Sequence, residues 1–255
     1  MTTSAGATGY ARRTVVSEFI TGTTVLDVND PSGDDNGPGT FAYPTSGDFH
    51  AGAYDIERFQ VIVSGDNAVL RLRTRDLSPT FDSPLGAQLV DVFVHDPNAT
   101  TTSVDPPFAS RNYAIADNSA WSSRIEVQGF ASPVFVDTEG QSLGTVSVTA
   151  SRASRYITMF VPLAALGTPR PGWRFAVVLH GQDGFSGDQA RGFQLLPQDF
   201  QFGLCASPSV VSPICSIEPG TAPKAMDVIT PAGVDQSVEL DPTQGPVRIE
   251  GVAVP

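Results

Sequence analysis

A chain of 255 residues with 40% hydrophobic content can bury a substantial core and falls in the size range of a single all-β domain. Its formal charge of −12 comes from 27 acidic against 15 basic residues. The two short arginine groups, Arg12-Arg13 and Arg71-x-Arg73-x-Arg75, are far too little basic surface for a nucleic-acid partner. No apolar run reaches the roughly 18 residues of a membrane-crossing helix.

At the N-terminus, Met1 to Arg13 carries small polar residues and two arginines without the apolar core of a signal peptide. Residues 1–13 read as a flexible tail and residues 14–255 as one domain, from an exported protein whose signal has been removed or from a piece of a longer exported chain. Short-range apolar alternation dominates from Val15 onward. Phe59-Gln60-Val61-Ile62-Val63 stops at Ser64-Gly65-Asp66-Asn67 and resumes as Val69-Leu70-Arg71-Leu72-Arg73, the pattern of a β-hairpin. Further strands are predicted at Gln88 to His95, Ser123 to Phe130, Pro133 to Val136, Leu143 to Thr149, Arg155 to Val161 and Trp173 to His180.

Only Pro162 to Gly167 reads as helical, with Pro at its start and Gly at its stop. The pattern loosens after Phe202 and recovers at Ala225 to Ile229 and Val247 to Val254. The segment 204–255 is too short for a core of its own and is expected to pack back on the main body. Many short one-sided strands with a single short helix predict an all-β fold, a two-sheet antiparallel sandwich of the jelly-roll-like kind.

Cys205 and Cys215 fit no zinc or redox spacing, and so close a pair in an otherwise thiol-free chain favours a local disulfide, the alternative being two buried free thiols. The stretch Asn29 to Asn36 packs three Asp and two Asn into eight positions, interleaved with Gly and Pro that bend the backbone. Such a loop can converge carboxylates and carbonyls on a calcium ion, although its spacing is not that of an EF-hand and an Asp-rich turn is the alternative.

The run Asp30-Pro-Ser-Gly-Asp-Asp-Asn-Gly-Pro-Gly-Thr-Phe-Ala-Tyr-Pro-Thr, followed by Phe49-His-Ala-Gly-Ala-Tyr-Asp55-Ile-Glu-Arg-Phe59, resembles the opening of the glucodextranase C-terminal domain family, which also occurs at the ends of pullulanases and of surface-associated proteins. Later pieces follow in order: Ser83-Pro-Leu-Gly86, Val90-Asp-Val-Phe-Val94, Trp121, Gly172-Trp173, Gly181-Gln-Asp-Gly-Phe185, Phe200-Gln-Phe-Gly203 and Asp227-Val-Ile-Thr-Pro-Ala-Gly-Val-Asp-Gln236. The resemblance covers Val25 to the C-terminus. It implies a sandwich similar to calcium-containing carbohydrate-binding modules. Asp30, Asp34 or Asp35, and Asp55 are then the calcium ligands, with a backbone carbonyl near Gly33. Phe81 stands where relatives are expected to carry Trp.

Sugar modules stack pyranose faces on exposed aromatics and add polar groups for the hydroxyls. Trp121, beside Asn118 and at a strand entrance, is the first candidate for such a platform. Phe81, Tyr113 and Phe185 follow, with Asp183 in the acidic loop Gly181 to Asp188 as a hydrogen-bonding group. Trp173, among alternating apolar residues, reads as core.

No motif nominates a carboxylate pair for glycoside hydrolysis or a nucleophile with its base, so no enzyme activity is expected of the chain itself. A haem site on Met159 and His180 is chemically allowed, but Met159 beside Phe160 reads as core. The reading is therefore a secreted or cell-surface, calcium-stabilised accessory module that binds an α-glucan or cell-wall polysaccharide beside a hydrolase domain. The alternative is a calcium-dependent attachment or spacer domain with no sugar site.

Overall fold

A computed structural model describes residues 20–255; the tail expected at residues 1–13 and the first alternation at Val15 lie outside them. In chain order the strands are β1 (Thr23–Asn29), β2 (Ile56–Ser64), β3 (Asn67–Thr74), β4 (Gln88–His95), β5 (Ala114–Ile115), β6 (Ser123–Gln128), β7 (Val134–Asp137), β8 (Ser147–Ser151), β9 (Tyr156–Pro162), β10 (Arg174–Gly181), β11 (Phe193–Gln194), β12 (Phe202–Gly203), β13 (Asp227–Val228), β14 (Arg248–Ile249) and β15 (Val252–Ala253). Two short helices accompany them, α1 (Leu163–Leu166) and α2 (Gln236–Glu239).

The fold is the antiparallel two-sheet sandwich expected from the sequence. One sheet runs β1-β2-β3-β9-β8; the other runs β13-β10-β4-β6-β7, with β15 also paired to β10. The hairpin expected around Ser64-Gly65 is β2–β3, with Phe59 opposite Leu72 and Ser64 opposite Asn67. The helix expected before Gly167 is α1, and Gly167 closes it at φ +88. The single-helix expectation is corrected by α2, a one-turn element after the N-cap Asp235, whose side chain accepts from the Ser237 amide. Its Gln-Ser-Val-Glu run has no apolar periodicity to announce it.

Between the sheets lie Phe59, Leu70, Leu72, Ile157 and Met159 from one side and Val90, Val92, Ile125, Phe175 and Val177 from the other. The second sheet is covered on its far face as well. Phe93, Ala176 and Val178 pack there against Tyr113, Ile115, Trp121, Val228, Leu240, Val247 and Ile249. This double burial explains why β4 and β10 read as near-continuous apolar runs, Leu89 to Val94 and Phe175 to Leu179, where a half-exposed strand would alternate. The cover is supplied by residues 109–121 and by the C-terminal segment, which adds β13 and β15 to β10. Cys205 and Cys215 form a disulfide with Cα atoms 5.6 Å apart.

Double burial also traps charge. Asp91 on β4 pairs with the Arg111 guanidinium and with Arg124 (2.8 Å), and Glu126 accepts from both arginines at 2.9 Å. Asp91 and Arg111 are wholly buried. Burial works against charge on Asp91, but Arg111 and Arg124 overcome it and hold the carboxyl far below its ordinary range. Removing one member strands the others in a low dielectric, so Arg111→Ala is expected to cost about 3–5 kcal/mol. Arg248→Ala, which removes an exposed pair with Asp117, should cost little. Urea unfolding of the two variants checks this; equal, small losses would contradict the buried network.

Candidate functional site

Two features stand out at the end of the sandwich where β10 finishes and β4 begins. The first is a groove of about 620 Å³ lined by Phe81, Phe130, Gln182, Asp183, Gly184, Phe185, Arg191, Phe200 and Gln201. Four of the five exposed phenylalanines among the described residues are here: Phe81 is 44% exposed, Phe130 46%, Phe200 51%, and Phe185 fully exposed, with only Phe108 elsewhere. Phe81 and Phe200 face one another with ring centroids 6.4 Å apart. Both lean edge-on against the buried Phe49, at 6.0 and 6.1 Å.

Local backbone geometry puts these rings outward. Phe81 and Asp82 form a two-residue turn between Thr80 and Ser83, whose backbones exchange both hydrogen bonds (3.3 and 3.0 Å). Both turn residues have positive φ, 51° and 62°, as a type I′ turn requires but as Phe and Asp seldom adopt. A bulky residue held in that region costs on the order of 1–3 kcal/mol and is typical of functional surfaces. Across the groove, the Asp183 carboxylate accepts from the Phe185 amide (3.0 Å) and fixes the turn carrying Phe185. Gly181 must lack a side chain, because a Cβ there would lie 2.4 Å from the Phe202 ring.

Arg191 joins the two walls. Its guanidinium donates to the Gln182 carbonyl (2.6 Å) and to the Phe200 carbonyl, and lies 4.7 Å from the Phe49 ring centroid. Its Nε is buried and has no hydrogen-bond partner among the described residues. The groove therefore offers apolar ring faces with amide, carboxylate and guanidinium groups at their edge. Such a surface takes a ligand with apolar C–H faces and a hydroxyl rim.

Of the sugar-site residues expected from the sequence, the structure brings together Phe81, Asp183 and Phe185. Trp121 is not an open platform, which corrects the first candidate. It is 5% exposed, packs 5.7 Å from the Phe93 ring and donates its indole N–H to the Asp105 carbonyl (3.0 Å). Its polar sequence neighbours concealed that the far face of the second sheet is covered. Tyr113 is buried in the same cluster, stacked on His180 with centroids 5.7 Å apart. Asn118 lies on the surface but is engaged with Glu250 (2.6 Å) and does not line the groove. Trp173 is core, and Met159 and His180 belong to different packing layers, Met159 between the sheets and His180 beside Asp91. Phe130, Phe200, Gln201 and Arg191 were missed as site residues; the aromatic-rich Phe200-Gln-Phe-Gly203 run was the available signal.

The second feature is a cluster of carboxylates. Asp30 and Asp34, from the acidic loop, and Asp227, from β13, place oxygens within 4.8 Å of one another. Asp55 is electrostatically coupled to all three. Its Oδ2 accepts from the Gly33 amide (2.8 Å) and from Arg75 (3.1 Å). Gly33 thus contributes an N–H to Asp55. Asp35 turns to the Tyr43 hydroxyl, whose oxygen accepts from the Tyr54 amide (2.9 Å). Asp227 accepts from the Ile56 and Val228 amides at 2.6 and 2.8 Å, so it stitches the C-terminal segment to β2. No local pattern signals that Asp227, some 190 residues downstream of the loop, joins it.

The electrostatics are costly without a counter-charge. Burial and the charges of Asp34 and Asp55 push Asp30 up to about 8. Burial, with Asp55 and Asp35 adding, pushes Asp34 up to about 6, and burial followed by Asp30 and Asp34 raises Asp227 well above its ordinary value. Asp30 Oδ2, Asp34 Oδ1 and Asp55 Oδ1 are buried with no hydrogen-bond donor among the described residues. Unpaired, all-oxygen donors that repel one another fit a hard cation.

The sequence matches, over residues 25–249, the family described as the C-terminal, SLH-like binding module of glucodextranase. No curated protein matches it. Among the described residues no helix is long and apolar enough to cross a membrane.

Raised acid pKa values mean that the cluster's stability is present at low pH and lost as pH rises through the folded-state values. Chelator-treated protein is therefore expected to lose stability from about pH 4 to about pH 8, across the values of about 6 and 8 for Asp34 and Asp30. Glu239, raised to about 7 by burial, adds a change of the same sign. Urea midpoints in chelator-treated buffer test this; a flat or rising profile would contradict it. With the groove, the cluster and the matching span in view, the chain belongs to the family of C-terminal binding modules of glucodextranase.

Proposed function

We propose that the chain is a non-catalytic carbohydrate-binding module of an exported glycan-active protein, that its ligand is an α-glucan or a cell-wall polysaccharide, and that its fold is secured by calcium. The observation that carries the reading is the groove, in which four exposed phenylalanines meet Asp183, Gln182, Gln201 and Arg191. Pyranose rings stack their C–H faces on such rings, and the flanking groups serve their hydroxyls. The family description, a binding module of an enzyme acting on a glucan, supports the same ligand class.

Calcium would be held by Asp30, Asp34 and Asp227, with Asp55 beside them. It would supply positive charge that lets these carboxylates ionise together inside the protein. The residues themselves join three parts of the chain: the acidic loop, the start of β2 and β13. The spacer reading, a calcium-dependent domain with no sugar site, would leave the exposed phenylalanines without a role.

Affinity electrophoresis in dextran and in soluble starch tests the glycan reading. Retardation of the chain is expected in at least one, and abolition by Phe185→Ala with an unchanged melting temperature. Phe81→Asn is the sharper variant. Asn tolerates positive φ better than Phe, so it should stabilise the turn while weakening retention. Undiminished retention in both variants would remove the groove from glycan binding.

For calcium, binding at about 100 times its dissociation constant stabilises the fold by about 2.7 kcal/mol. Asp30→Asn removes a carboxylate whose ionisation costs the metal-free fold stability, so it is expected to make the chelated protein more stable than the parent at pH 8 and to shrink the calcium-induced gain. An identical melting curve with and without calcium would overturn the metal assignment.

A further inference from the structure

The loop between Gln182 and Arg191 forms one wall of the groove, and its tip, Asp183-Gly184-Phe185, projects into solvent. Its two ends are fixed by Gln182, which donates from its side chain to Gln128 (3.1 Å), and by Arg191. The middle of the loop is held from behind mainly through Asp188, and Lys224 Nζ also donates directly to the Ala190 carbonyl (3.3 Å). The Asp188 carboxylate accepts from Lys224 Nζ and from Ser110 Oγ, both at 2.7 Å, through Oδ2. Through Oδ1 it accepts from Ser186 Oγ (2.8 Å) and from the Ala190 amide (3.2 Å). Its carbonyl accepts from Arg111 (2.8 Å).

Lys224 is the only lysine in the chain and is itself fixed. Its amide donates to the Arg111 carbonyl (2.9 Å), and its carbonyl bonds the His180 ring, which lies 3.2 Å from Asp91. The loop is thereby tied to the buried charge network of the second sheet. It also needs tying, because Gln189 sits at φ +59, a conformation that costs a non-glycine residue energy and persists only where its surroundings enforce it.

We propose that Asp188, clamped by Lys224, is a positioning residue that holds the 182–191 wall, and with it Asp183 and Phe185, in the conformation that receives the ligand. The inference rests on the glycan reading of the groove. Burial opposes charge on Asp188, but Lys224, Ser110 and Ser186 outweigh it and bring the carboxyl down to about 2, so Asp188 stays ionised throughout the neutral range. It acts by preorganisation: a wall that is competent one-tenth of the time lowers apparent affinity about tenfold without touching the ligand.

The test compares the parent chain with Asp188→Asn, Lys224→Met, their double variant and Lys224→Arg. Dissociation constants for dextran are measured by calorimetry, and amide hydrogen exchange is followed alongside. Asp188→Asn and Lys224→Met are each expected to weaken binding about tenfold, the double variant no more than either, and Lys224→Arg to retain most of the affinity. The amides of Asp183, Ser186, Gln189 and Ala190 should exchange faster in Asp188→Asn while those of β4 and β10 keep their protection. Unchanged affinity in Asp188→Asn, or loss of affinity together with protection in β4 and β10, would overturn the inference. Where dextran does not bind the parent chain, the constants are measured on the α-glucan or cell-wall polysaccharide that does; failure of the parent to bind any of them would strike the glycan reading, and this role with it.

Discussion

The second sheet is buried on both faces, and most of the structure follows from that constraint. Its inner face meets the first sheet in the ordinary way of a sandwich. Its outer face must be closed by something else, and the chain closes it with residues 109–121 and with the C-terminal segment. Polar residues that alternate outward on β4, β6 and β10, namely Asp91, Arg124, Glu126 and His180, therefore become interior groups and must be paired. Arg111, delivered by the covering segment, completes the set. The same closure brings Lys224 to Asp188 behind the groove and Asp227 to Asp30 and Asp34. Both candidate sites are thus built where the cover crosses the end of the sandwich.

The two sites share a support. Tyr43 receives the Tyr54 amide and donates to Asp35 at the edge of the carboxylate cluster. Its ring stands 5.1 Å from that of Tyr54, which stands 5.1 Å from Phe202. Phe202 directly follows Phe200 and Gln201 of the groove and presses on Gly181, where the opposite wall begins. Edge-to-face aromatic contacts of this kind add about 0.5–1.5 kcal/mol each beyond the area they bury. They leave little room for one site to shift without its neighbour.

The strands were legible because their information is local. Gln88 to His95 is a strand with the bounds read from its apolar run, and the β2–β3 hairpin follows from Ser64-Gly65-Asp66-Asn67. The acidic loop was legible from its crowding of Asp and Asn among Gly and Pro, and the family resemblance added Asp55 to it. What depends on tertiary closure was not legible. Trp121 has polar neighbours along the chain and apolar ones in space, since the cover over Phe93 is assembled from distant segments. Asp227 joins the cluster only because β13 pairs with β10, and β13 is two residues long. Phe130 and Phe200 sit in turns, where neither period 2 nor period 3.6 distinguishes an exposed ring from a buried one.

The central claim is that the phenylalanine-rimmed groove is the carbohydrate surface. Its most direct test is a titration of isotopically labelled protein with isomaltose-series and maltose-series oligosaccharides, followed residue by residue through amide and aromatic NMR shifts. The account predicts shifts concentrated at Phe81, Phe130, residues 182–191, Phe200 and Gln201. Shifts centred on another face of the sandwich, or none with any cell-wall or α-glucan ligand, would contradict it.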